Sequence, residues 1–249
     1  MALPRDRVLP AQAALPPCLP VRRLLEFEGR SFSRMAKMNW PANLSLWKSE
    51  IAKAARDAKN QASFHMAVSF QAPAPRASVD DPPHDIHLGA QVLLENPPIA
   101  TYSLMIGQKH EASKPRVLRR MHFDLQEEPD THEPKPILHL HVAGPSLPAL
   151  ARAGYDDAAF EHLLPWLEKP RIPCLPQSFA LLAHFALLEY HSTDQRLAAF
   201  VSSPSWLTVV TEAESEVLKP FFSHGNCWLT SARRKAASLL SVFYGFPAD

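Results

Sequence analysis

Two short segments of the chain carry polar side chains at every second residue. These residues are Arg120, His122 and Asp124 in the first segment and His139 and His141 in the second. Because successive side chains of a β-strand point to opposite faces, each set lies on one face of its strand. A hairpin through residues 126–136 would place His122 beside His141. It would likewise place Asp124 beside His139, with opposed Cβ atoms about 4.5–5.5 Å apart. The sequence therefore predicts a cluster of three imidazoles, a carboxylate and a guanidinium.

Three interpretations of this cluster are open. The histidines can act as general acid and base while Asp124 orients one ring and Arg120 stabilises a phosphate or oxyanion charge, which is the chemistry of metal-independent phosphodiester cleavage. Alternatively, a divalent transition metal such as Zn, Mn or Fe can be bound, with the ligands His122, Asp124, His139 and His141. In the third interpretation the polar face is the solvated side of a half-buried sheet. A one-residue error in register would move every side chain to the other face.

Several weaker candidates lie elsewhere in the chain. Asp80, Asp81, His84, Asp85 and His87 resemble a ligand cluster, although turn and capping duties explain aspartates in a proline-rich loop. His132 and Glu133 lie in the loop beside the proposed cluster. Arg233, Arg234 and Lys235 lie in the first turn of a predicted helix, where they either contact an anion or are solvated. The sequence contains no G-x-S-x-G elbow, P-loop or Rossmann glycine fingerprint.

Composition limits the class of protein. The chain has 249 residues with 46% hydrophobic and 20% charged residues and a formal net charge of +1, which excludes collagen, a disulfide scaffold and a membrane-spanning protein. The near-neutral charge argues against a nucleic-acid binder that relies on bulk electrostatics. Three cysteines without a CxxC pair indicate a reducing compartment, so we expect a cytoplasmic protein. The 25 prolines and 7 glycines indicate stiff connections.

Periodicity predicts the order of elements. Residues 1–40 are rich in proline and are expected to form a disordered leader. An amphipathic helix follows from Asn43, with an apolar stripe at Leu44, Trp47, Ile51, Ala54, Ala55 and Ala58. Five segments then have strand character, bounded by Pro, Asp or Asn: Ala62–Phe70, Ile86–Leu94, Thr101–Gly107, Arg116–Leu125 and Ile137–Val142. With no helical pattern between them, they are expected to pair as an antiparallel meander.

The C-terminal part is predicted to be helical. The expected helices cover residues 156–164, a fully buried helix over Gln177–His191, a helix that begins at Ser203–Pro204, and a last helix over Ser231–Tyr244. Strands followed by helices indicate an α+β fold. We therefore expect one domain over residues 41–249, with a helix and a curved antiparallel sheet in residues 41–145 and a helical layer in residues 146–249.

The order of these motifs resembles uncharacterised bacterial proteins of toxin–antitoxin and anti-phage defence loci. The resemblance spans residues 40–245 and rests on His122–Phe123–Asp124, on His139–Leu140–His141, and on Pro170–Arg171–Ile172–Pro173 before an apolar helix. It implies a bacterial cytoplasmic protein in a defence or toxin context. It also raises the expectation of RNA or DNA cleavage.

The sequence thus predicts a nuclease-like phosphodiesterase or toxin effector that acts on nucleic acid, with no cofactor or with a divalent metal ion. The alternative is a non-catalytic subunit that binds a partner protein or antitoxin. Aromatic residues near the C-terminus are possible anchors for such a partner, and these are Trp206, Phe221, Phe222 and Trp228. No membrane partner is expected.

Overall fold

The protein is an α+β fold built around an antiparallel sheet. The computed structural model describes residues 20–60, 62–73, 82–94, 98–108, 116–126, 138–142, 172–173, 175 and 177–219. Strands β1 to β6 span Phe64–Ala72, His84–Leu93, Ile99–Gln108, Arg116–Gln126, Leu138–Val142 and Ile172–Pro173. Each strand pairs antiparallel with the next, in the order β1-β2-β3-β4-β5-β6. The predicted meander is confirmed, and β6 is an additional short strand.

Helices occupy both ends of the described chain. Helix α1 spans Val21–Met35, α2 Trp47–Lys59, α3 Phe179–Tyr190, α4 Gln195–Val201 and α5 Pro204–Ala213, with short 3-10 turns at Ala42–Leu44 and His191–Thr193 and a π-helical turn at Glu214–Leu218. None of the helices described is long and apolar enough to cross a membrane. The helices predicted over residues 156–164 and 231–244 lie outside the described residues.

The helices cover one face of the sheet, and the core lies between them. Alternate residues of β1 are buried on this face, beginning with Phe64 and Met66. They join one continuous apolar cluster with α1, α2 and the C-terminal helices. The indole Nε1 of Trp47 donates to the Ser69 carbonyl over 2.9 Å, which attaches α2 to β1. The opposite face of the sheet is the one that carries the histidines.

The expectation of a disordered leader over residues 1–40 is wrong for Val21–Met35. These residues form α1, whose buried face includes Leu24, Leu25, Phe32 and Met35. Residues 1–19 lie outside the described residues. The apolar residues recur at three- and four-residue spacing, which is the pattern of a helix that packs on a core. The folded unit therefore begins before residue 41.

Removing an aromatic ring from α1 tests this correction. The Phe32 ring packs edge-on against Phe64 and Phe179, with ring centroids 5.3 and 5.8 Å apart. We expect Phe32→Ala to lower the free energy of unfolding by about 3–5 kcal/mol, measured by urea denaturation. Arg23→Ala, at an exposed position of the same helix, should change it by less than about 0.5 kcal/mol. Equal stability of the two variants would contradict the packing of α1.

Two of the predicted C-terminal helices are present, and the helix at Ser203–Pro204 begins with the expected cap. Ser203 caps α5 through its side chain, which accepts from the Trp206 backbone N–H, and Pro204 follows at the first helical position. Helix α3 differs from the expectation of burial on all sides, because Phe185 and Leu188 are 53% and 42% exposed. An all-apolar helix pattern does not show which side faces the sheet.

Candidate functional site

The predicted pairing of the two histidine strands is confirmed. In the β4–β5 ladder, His122 pairs with His141 and Asp124 pairs with His139. Arg120, two residues before His122, lies on the same face of β4 by alternation. The sequence reasoning therefore placed all five residues on one face in the correct register.

Strand β3 adds two hydroxyl groups to this face. Ser103 pairs with His122 and Thr101 pairs with Asp124 across the β3–β4 ladder. The Ser103 hydroxyl lies 2.6 Å from Nδ1 of His122, and the Thr101 hydroxyl donates to the Asp124 carboxylate over 2.7 Å. These two residues and the five predicted ones are together called the histidine face. Its members are Thr101, Ser103, Arg120, His122, Asp124, His139 and His141.

Burial on the histidine face rules out a fully solvated surface. Arg120 is 2% exposed and His122 is 5% exposed, and Ser103 is fully buried. Exposure rises toward β5, because Asp124 and His141 are only partly buried. The interpretation of this face as the solvated side of the sheet is therefore wrong for Arg120 and His122.

His122 is held in its neutral form. The pKa of its imidazole is lowered from 6.5 to about 4, mainly by burial; the Asp124 carboxylate opposes this change, and the charges of Arg120 and His141 add to it. Nδ1 is engaged by Ser103, whereas Nε2 is buried with no hydrogen-bond partner. A buried polar atom that is left unpaired costs about 1–3 kcal/mol, and such sites are enriched where chemistry occurs.

Asp124 contacts residues of both neighbouring strands, Thr101 of β3 and His141 of β5. One carboxylate oxygen accepts the Thr101 hydroxyl, and the other lies 3.3 Å from Nε2 of His141. When that nitrogen carries a proton it donates to Asp124, which fixes the orientation of the ring. The second ring nitrogen, Nδ1, is then the atom of His141 that can exchange a proton with a ligand.

Arg120 brings a positive charge to a buried position beside the imidazoles. It is among the largest fully buried side chains of the described core. Its charge is close enough to lower the pKa of His122. An arginine offers several N–H donors in a planar fork that matches phosphate oxygens. The combination of two imidazoles, a carboxylate and a guanidinium is suited to proton transfer at an anionic ester.

The metal interpretation gains no support from the described side chains. No group of three or more His, Cys, Asp and Glu side chains among them is arranged to hold a metal ion. The side chain of His139 lies outside what is described, so the four-ligand set with His122, Asp124 and His141 stays a prediction. The acid–base interpretation needs only the groups whose positions are described here.

The weaker candidates fall into two groups. His84 lies on the helix-covered side of β2 by alternation, whereas Asp85 and His87 share the opposite side, so the three do not converge. Asp85 is buried and accepts from the Gln71 side chain over 2.6 Å. The remaining candidates lie outside the described residues, and these are Asp80, Asp81, His132, Glu133, Arg233, Arg234 and Lys235.

The proposed aromatic anchors are not an exposed surface in the described chain. Trp206 is fully buried and its indole donates to Nδ1 of His184 over 3.0 Å, so its role as a partner anchor is wrong. Phe221, Phe222 and Trp228 lie outside the described residues. The interpretation of helical aromatics as core holds for Trp206.

Sequence reasoning missed Ser103 and Thr101. The signal was present, because alternation within the predicted strand Thr101–Gly107 separates these two hydroxyls from Tyr102 and Leu104. What was missing was the register against β4. A β-bulge lies in that ladder between Ile106 and Gly107, so counting back from the loop gives the wrong partners.

Comparison of the chain with protein-family models, curated proteins and solved structures finds no match. Any functional conclusion therefore rests on the site itself.

Proposed function

We propose that the protein is a cytoplasmic effector that cleaves phosphodiester bonds by acid–base catalysis on the histidine face, with RNA or DNA as the substrate class. The observation that carries the proposal is the pairing of two imidazoles in different environments at opposed positions of β4 and β5. His122 is buried and neutral, and His141 is oriented by a carboxylate. A toxin or defence role is the biological setting that we propose for this activity.

The reaction needs one proton acceptor and one proton donor. His122 accepts the proton of the attacking hydroxyl or water at Nε2, which requires that Nδ1–H donates to Ser103. His141 enters the step doubly protonated, with Nε2–H donating to Asp124, and its Nδ1–H gives a proton to the oxygen of the departing group. Arg120 stabilises the negative charge that builds on the phosphoryl oxygens. The attacking oxygen gains the phosphorus bond that the leaving oxygen loses, and the two histidines end with exchanged protonation states.

Replacing His141 tests this proposal. His141→Gln keeps a donor for Asp124 but cannot transfer a proton, so we expect cleavage of single-stranded RNA to fall by about 10²- to 10⁴-fold. The assay contains EDTA, because the proposed mechanism needs no metal. His65→Gln is the matched control, since His65 is an exposed histidine on the same face of the sheet at the other edge. It should retain full activity.

Three results would contradict the proposal. If the wild-type protein cleaves none of a panel of RNA and DNA substrates, the proposed nuclease activity is wrong. Cleavage that EDTA abolishes and Mn²⁺ or Zn²⁺ restores would favour the metal interpretation. A His141→Gln variant with undiminished cellular toxicity or defence would favour the non-catalytic subunit.

A further inference from the structure

A pocket lies on the other side of the sheet from the histidine face. It has a volume of about 670 Å³ and is formed where α3 ends above β2, β3 and β4. Its walls include Ile106 and Leu118, which provide apolar surface, and the polar residues His84, Arg119, Tyr190 and Ser192 together with Glu189. Pockets of about 300–1,000 Å³ with a few placed polar groups are typical small-molecule sites.

A β-bulge places Arg119 in the wall of this pocket. Ile106 pairs with Arg119 and Gly107 pairs with Val117, so Leu118 is the extra residue of β4. Bulges redirect the side chains beside them and are frequent near binding sites. The adjacent residues Arg119 and Arg120 therefore lie on opposite faces of the sheet, Arg119 at the pocket and Arg120 on the histidine face.

A hydrogen bond joins His84 to Tyr190 in the wall of this pocket. Nδ1 of His84 lies 2.8 Å from the Tyr190 hydroxyl. Burial raises the pKa of Tyr190 to about 12, and burial and then the charge of Arg119 lower the pKa of His84. In the tautomer in which the phenol donates to Nδ1, Nε2 of the neutral ring is an N–H donor.

Among the described residues, the pocket carries one positive and one negative side chain that do not form an ion pair with each other. Arg119 and Glu189 are exposed, and no ion pair within 4 Å joins either of them to another residue of the described chain. Both side chains line the same pocket as Tyr190, and their charges shift the pKa of its hydroxyl in opposite directions. The balance of one guanidinium and one carboxylate does not favour a plain anion or a plain cation.

We propose that this pocket binds a small zwitterion of the amino-acid type. The ligand carboxylate meets the Arg119 guanidinium and Nε2–H of His84, the ammonium group meets Glu189, and an apolar side chain lies on Ile106 and Leu118. The arrangement pairs each charge on the wall with an opposite charge on the ligand. This site is independent of the proposed phosphodiesterase activity.

Calorimetric titration with leucine and its two halves tests the proposal. Free L-leucine is compared with 4-methylpentanoate, which lacks the ammonium group, and with 3-methylbutylamine, which lacks the carboxylate. We expect leucine to bind with a millimolar or lower dissociation constant and each half to bind at least tenfold more weakly. Arg119→Gln and Glu189→Gln should each weaken leucine binding at least tenfold. Arg196→Gln, an exposed arginine paired with Asp194 away from the pocket, is the control and should bind as the wild type does.

Two outcomes would overturn the proposal. One is the absence of leucine binding at 20 mM by the folded wild-type protein. The other is equal binding of 4-methylpentanoate and leucine, because the pocket would then recognise a carboxylate alone. Since Arg119 and Glu189 are exposed, their variants are expected to fold, and circular dichroism verifies this.

Discussion

Glu28→Gln is expected to stabilise the protein at pH 8 by about 3 kcal/mol. Glu28 projects from α1 into the core and is fully buried. One of its carboxylate oxygens accepts from the Tyr102 hydroxyl and from the Phe179 backbone N–H, both over 2.7 Å, and the other is buried without a partner. A glutamine keeps the accepting oxygen and removes the negative charge.

The sign of the effect follows from the direction of the pKa change. Burial raises the pKa of Glu28 from 4.5 to about 7, against the two hydrogen bonds that lower it. Between these pH values the folded protein holds a proton that the unfolded chain has released. The contribution of Glu28 to the free energy of unfolding therefore falls by about 1.4 kcal/mol per pH unit as the pH rises. Stability from the neutral acid is complete below pH 4.5 and is lost by the time the pH passes 7.

Urea denaturation of the wild type and Glu28→Gln at pH 4.5, 6 and 8 measures this difference. The two proteins should be similar in stability at pH 4.5 and should diverge as the pH rises. Glu26→Gln is the matched control, because Glu26 is an exposed glutamate of the same helix. A Glu28→Gln variant that is less stable than the wild type at pH 8 would mean that the charged carboxylate is stabilised in a way that this geometry does not provide.

The same residue explains why α1 was not predicted. Glu28 occupies the buried stripe of the helix between Leu25 and Phe32. A charged residue in that stripe interrupts the apolar periodicity by which a helix is recognised. The tertiary contacts to Tyr102 and Phe179 that accommodate it come from elements more than 70 residues away in sequence.

For the histidine face, the sequence predicted which residues pair but did not predict how deeply they are buried. Alternation in two short strands, together with a hairpin through residues 126–136, was enough to predict that His122 pairs with His141, because alternation decides the face and the loop decides the partner. Alternation could not predict the burial of Arg120 and His122. Polar residues at every second position are usually the solvated ones, and their burial depends on contacts beyond the strand pair.

Glu28 and His122 titrate in the same range with opposite effects. The folded protein binds fewer protons than the unfolded chain at His122 between pH 4 and 6.5, because burial lowers the pKa of this imidazole. Its contribution to stability is therefore complete above pH 6.5 and is lost as the pH falls toward 4. Between pH 4.5 and 6.5 the two contributions to the free energy of unfolding change with pH by equal amounts in opposite directions. Measuring the stability of the wild type against pH therefore reveals neither group. Single variants separate them.

His122→Asn is expected to abolish cleavage and to remove the acid-sensitive part of stability together. Asparagine places a polar atom near the position of Nδ1, where Ser103 lies 2.6 Å away, but has nothing that titrates. We expect RNA cleavage to fall by about 10²- to 10⁴-fold. The stability of the variant relative to the wild type should rise by about 2–3 kcal/mol between pH 7.5 and pH 4.5, measured by urea denaturation.

The two readouts distinguish a catalytic base from a buried structural histidine. A structural role alone would change the pH dependence of stability and leave cleavage intact in the folded variant. If His122 is the base, the acid limb of kcat/KM for the wild type should lie near pH 4 instead of near 6.5, since that limb reports the group in the free enzyme. The His122→Asn variant should show no such limb. An acid limb near pH 6.5 would assign the base to a solvated imidazole and would move the chemistry away from His122.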